Sequence, residues 1–90
     1  MSRSDEISQH ILSRVQLTRE RVKQILRDLE SVSDELNTLY DYAMSHDMES
    51  IADEVGVIDF DLAGALTHVE ELLKELQALE YEVMEDEQEE

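Results

Sequence analysis

The side chains able to do chemistry are unevenly placed along this chain. It holds three histidines, His10, His46 and His68, and no cysteine. No two histidines stand at the spacing that lets one helix face grip a metal ion. His68 and Glu71 are three apart, but in the order opposite to the Glu-x-x-His pair of di-iron bundles. Glu70, Glu71 and Glu75 form one carboxylate cluster, and Asp53, Glu54 and Asp59 form another. Clusters of this kind hold Mg²⁺ for phosphate chemistry when several matched pairs converge on a cleft. No such set assembles from this sequence. There is no glycine-rich phosphate loop, and no Ser, Cys or Lys nucleophile stands at a recognisable spacing from a base. The histidines read as solvated surface residues, with no catalytic residue, metal ligand or cofactor expected, so a non-enzymatic role follows.

What the carboxylates do as a population is more telling. No Lys or Arg occurs between Arg27 and Lys74, a stretch that carries thirteen acidic residues. The whole chain has a formal net charge of −17. The excess is one-sided: residues 1–46 hold six basic and eight acidic groups, residues 47–90 one basic and sixteen acidic. Such a field disfavours DNA, RNA and anionic lipid as ligands and favours basic surfaces. The expected contact residues are Asp28, Asp34, Glu35, Asp41, Asp47, Glu49, Asp53, Glu54, Asp59 and Asp61.

The elements that must position these groups are helices. Ninety residues, no Pro and two Gly leave one domain with almost no chain breakers. Two heptad series run through it. The first is Ile11, Val15, Thr18, Val22, Ile25, Leu29, Val32, Leu36, Leu39, Ala43. The second is Ile51, Val55, Ile58, Leu62, Ala65, Val69, Leu72, Leu76, Leu79, Val83. Alternating steps of four and three keep one helix face turned to a partner. The break between them at residues 45–49 is short, which forces an antiparallel, all-α hairpin of two long helices. Asp47 is the expected N-cap of the second helix, and Ser2 or Ser4 that of the first. Folding the chain about residue 47 sets Val15 opposite Leu79, Val22 opposite Leu72, Leu29 opposite Ala65 and Leu36 opposite Ile58. It also brings Arg14 near Glu82 and Arg21 near Glu75.

The apolar stripe is wider than a two-helix seam needs. Leu12, Leu26 and Tyr40 flank the first series, and Leu66 and Leu73 the second. A three-position stripe belongs to a helix in a bundle. Two hairpins joined in a four-helix bundle bury it, and a two-fold homodimer is the commonest way to do so. The core and dimer seam is therefore expected to draw on Val15, Val22, Leu29, Leu36, Ile58, Leu66, Leu72, Leu73 and Leu79.

Gly56 interrupts the second series and leaves two readings. The helix breaks there and restarts with Asp59 as N-cap, or it runs through and exposes Val57 and Phe60 as an apolar contact pair. The unbroken heptad favours the continuous helix. The helical domain is expected over residues 1–84, with an acidic, disordered tail at residues 85–90. Residues 1–10 lack the apolar core of a signal peptide, and no apolar run reaches the ~18 residues of a membrane span, so a cytoplasmic protein is expected.

Three functions are open to such a chain. The favoured one is a small acidic regulator or inhibitor that binds a basic protein, such as a nucleic-acid-binding protein, as a DNA mimic would. The second is a structural or adaptor homodimerisation module whose acidity serves solubility or adaptation to high salt. The third is direct nucleic-acid binding through Arg14, Arg19, Arg21, Lys23 and Arg27, and the net charge opposes it.

Overall fold

The computed structural model describes residues 3–89, with side chains described over residues 6–85. It contains two helices, α1 (Arg3–Ser45) and α2 (Glu49–Glu89), packed against each other as an antiparallel hairpin. α2 passes through Gly56 without a break, so Asp59 caps nothing. It also continues past residue 84 to Glu89. Ser4 lies inside α1 and cannot be its N-cap, while Ser2 lies outside the described residues.

The turn departs from the expected cap. Asp47 has φ 59°, the left-handed region, and α2 starts two residues later. The Met48 N–H donates to the Ala43 carbonyl at 2.9 Å, and the Asp47 N–H to the Met44 carbonyl at 3.3 Å. Those two bonds form the Schellman closure of α1, with Asp47 at the position usually filled by glycine. Asp47 therefore ends α1 instead of opening α2. The residue before α2 is Met48, whose carbonyl accepts from the Ala52 N–H at 3.0 Å. His46 packs flat on Tyr42, with ring centroids 4.2 Å apart, and completes the turn.

This turn sets the rotation of both helices. It brings the chain together at Ala43 and Ala52, which are 2% and 0% exposed. Small side chains suit the place where two helices converge, and Ile51 would not fit there. From that point the seam residues of α1 are Leu36, Ser33, Leu29, Leu26, Val22, Arg19, Val15 and Leu12, with Ser8 and Lys23 also partly covered. Those of α2 are Val55, Asp59, Leu62, Leu66, Val69, Leu73, Leu76, Glu80 and Val83. The seam keeps half of each expected heptad series and replaces the other half with its neighbour. Each helix is turned about 50°, one slot on a seven-position wheel.

Leu12, Leu26, Leu66 and Leu73, expected at a dimer face, therefore hold the hairpin together. Ile58, Leu72 and Leu79, expected in the seam, stand open, as do Ile11, Ile25, Val32, Leu39 and Ile51. The expected pairs of Arg14 with Glu82 and Arg21 with Glu75 do not form, because all four residues lie outside the seam.

The hairpin is a thin rod. Its Cα atoms span 68 × 15 × 13 Å, with a radius of gyration of 20.1 Å, against about 12 Å for a compact domain of this length. It exposes 6920 Å², whereas a compact monomer of this mass exposes about 5,400 Å². Among the described residues five apolar residues are buried, Val15, Val22, Ala43, Ala52 and Val55, and no large side chain is fully buried.

Candidate functional site: an open apolar face and a carboxylate coat

Two antiparallel helices are related by a two-fold axis normal to the plane of their hairpin. That axis keeps front as front, so matching heptad columns on α1 and α2 share a side. The open columns match. On α1 they are Ile11, Thr18, Ile25, Val32 and Leu39, the first four each one residue before a seam position. On α2 they are Ile51, Ile58, Ala65, Leu72 and Leu79, again one before a seam position. They form one continuous face two helices wide. Ile25 is 50% exposed, Ile58 53% and Leu72 42%.

The opposite side is built differently. There the columns next to the seam read Gln16, Lys23, Glu30, Asn37 and Met44 on α1, and Gly56, Ala63, Glu70, Gln77 and Met84 on α2. One side of the hairpin is thus apolar along its length, and the other is polar or small except for an exposed methionine at either end, Met44 and Met84.

The seam also carries charge that sequence reasoning missed. Arg19 and Glu80 sit in it and pair through Nη1 and Oε2, with side chains 24% and 13% exposed. Gln16 Nε2 donates to the other Glu80 oxygen at 3.2 Å. Nearer the turn, Ser33 Oγ donates to Asp59 Oδ1 at 3.4 Å. The signal for these was present, since Arg19, Ser33, Asp59 and Glu80 recur at seam spacing. It was hidden because a more apolar column lay beside it.

Most of the acidic residues lie where the charge pattern placed them. Asp28, Asp34, Glu35, Asp41, Asp47, Glu49, Asp53, Glu54 and Asp61 are all exposed. Asp59 is the exception: it is half-buried and accepts from Ser33, so it belongs to the seam. The rest wrap the turn half of the rod. Asp28, Glu35, Glu54 and Asp61 border the open apolar face, and Asp34, Asp41 and Asp53 lie towards the polar side. Successive members of a column are seven residues apart, about 10.5 Å along the helix.

Among the described residues, no three of His, Asp and Glu converge so as to hold a metal ion. No described helix is long and apolar enough to cross a membrane. Comparison with protein-family models, with curated proteins and with solved structures gives no match for this chain.

Proposed function

We propose that this chain is a non-enzymatic binding protein. It pairs with a second copy through the open face, as a four-helix bundle, and the resulting acidic rod occupies a basic, nucleic-acid-binding surface of another protein. The observation that carries this reading is the one-sided face itself. From Ile11 to Leu39 it runs about 42 Å at 1.5 Å per residue. Two helices about 9 Å apart, with their flanks, make it about 20 Å wide. The footprint of about 800 Å² is what each partner of a standard stable complex covers.

Pairing also changes the charge density. A net −17 over 68 Å is one charge per 4 Å of rod. Two copies side by side halve that to one per 2 Å, close to the ~1.7 Å of duplex DNA. The carboxylates are fixed on helices, so little ordering entropy is lost on binding. Dimerisation and mimicry thus support each other.

The two steps respond oppositely to salt. Bringing two acidic copies together becomes easier as salt screens their repulsion, whereas contact with a basic surface weakens. The test is an affinity pull-down from native lysate, washed at low and then moderate salt. The expected result is a nucleic-acid-binding protein that is released by salt and displaced by duplex DNA. It should be lost when Asp34, Asp41, Asp53 and Asp61 are all changed to Lys, while light scattering still reports a dimer. Recovery of the protein alone would sink the mimic and leave a structural dimerisation module.

A further inference from the structure

Phe60 is the most exposed large apolar side chain of the described residues, at 79%, and Val57 beside it is 63% exposed. Neither belongs to the seam or to the open face. Both project from the outer surface of α2, away from α1 and from the Ile58 column. A bundle formed through the open face therefore leaves both in water.

They belong to a stripe. Asp53, Val57, Phe60 and Gly64 follow one another by four, three and four residues along one side of α2. A Cβ built at Gly64 would meet nothing within 4 Å, and its φ is ordinary. Packing within the chain gives no reason for this glycine, which costs an exposed helix ~1 kcal/mol relative to Ala. It does leave the backbone bare one turn after Phe60. Between this stripe and the open face an open hollow of about 380 Å³ is lined by Asp53, Glu54, Val57 and Ile58. Asp61 adds a further carboxylate beside Phe60, and no Lys or Arg occurs on this helix before Lys74.

An apolar anchor ringed by one sign of charge resembles an interface hot spot with its polar rim. We infer that the Val57–Phe60–Gly64 ridge seats a basic amphipathic helix of another protein. An apolar side chain of that helix packs on Phe60 and Val57 over the bare Gly64 backbone. Its lysines or arginines face Asp53, Glu54 and Asp61. The inference rests on the reading of a basic partner and adds where that partner is anchored.

The test uses the full chain and two labelled synthetic peptides of Lys, Leu and Ala, one an amphipathic helix and the other its scrambled sequence, read by fluorescence anisotropy. The amphipathic peptide should bind about tenfold tighter than the scrambled one. Phe60→Ala should remove about tenfold of that affinity, and so should Gly64→Leu, which fills the bare backbone. Circular dichroism should show both variants as helical as the parent, since neither position packs inside the hairpin. Equal binding of both peptides, unchanged by either substitution, overturns the ridge and leaves charge-driven binding standing. No binding of either peptide overturns the ridge and the basic-partner reading together. A parent assembly larger than a dimer that falls to a dimer on Phe60→Ala overturns it too, because a further copy then covers the ridge.

Discussion

The two sides of this hairpin differ in kind although they lie beside the same seam. One presents Ile11, Ile25, Val32, Leu39, Ile51, Ile58, Leu72 and Leu79 to solvent; the other presents Gln16, Glu30, Asn37, Glu70 and Gln77, with Met44 and Met84 at its ends. The seam between them is less apolar than the open side, because it contains Arg19, Ser33, Asp59 and Glu80. The greasiest surface is thus not the one the chain buries against itself. Polar groups in a helical seam cost stability and gain register and orientation, while an apolar face supplies association free energy without choosing a geometry. The hairpin assigns the first task to its own seam, and under the proposed function the second falls to the open face.

The widest separation between the regions should come from charges placed in each. Leu29→Asp, inside the seam, is expected to abolish cooperative unfolding, as followed by circular dichroism. Leu72→Glu, on the open side, should leave the hairpin recognisable but break the dimer. Two symmetry-related Leu sites at ~2–3 kcal/mol each amount to a loss of about three to four decades in dimer affinity. Gln77→Glu, on the polar side, should change that affinity by less than about tenfold. Sedimentation of the three variants at matched concentration decides it. Equal behaviour of Leu72→Glu and Gln77→Glu would erase the distinction between the sides.

A smaller effect probes the seam itself. Glu80→Ala leaves Arg19 largely covered without its carboxylate and should cost about 1–3 kcal/mol in urea unfolding, less than a fully dry pair because water still reaches both groups. Replacing both Arg19 and Glu80 by Leu should be neutral or stabilising. It should also loosen orientation, giving a mixture of assemblies in native mass spectrometry. A double variant that is both less stable and still uniform would mean the pair contributes net stability rather than specificity.

Much of this architecture was legible in the sequence. Steps of four and three, no proline and one short break dictate two long antiparallel helices. In the column common to the heptad series and the observed seam, Val15, Val22 and Ala43 are buried and Leu29 and Leu36 half-buried. What a single-chain pattern did not decide was which flank joins it. Hydropathy favoured Ile25 and Leu72, whereas the turn favours the flank that starts at Ala52. The choice is made by backbone geometry at Asp47 and by the Arg19–Glu80 pairing, neither of which a count of apolar residues registers. The exposure of the carboxylates other than Asp59 follows from composition, because so many charges cannot be buried in so thin a rod. Asp59 was misplaced for the same reason as the seam, a one-slot error in rotation.

The smallest effects concern glycine, which is missing where the backbone asks for it and present where it does not. Asp47 occupies a left-handed position at the end of α1, and Gly there removes the Cβ strain. Asp47→Gly should therefore stabilise the hairpin by about 0.5–1 kcal/mol. Gly56 lies inside α2 with open space around its missing Cβ. Gly56→Ala should add a similar amount, since it reduces the freedom of the unfolded chain without a clash. For a chain of this size each kcal/mol raises the melting temperature by about 4–8 °C, well within calorimetric reach. Gly56 sits on the polar side, so a gain in stability with dimer affinity unchanged is the outcome that fits two separate surfaces. A stabilised variant with weakened dimerisation would mean that the polar side also meets the second copy, and the contrast between the two sides would have to be redrawn.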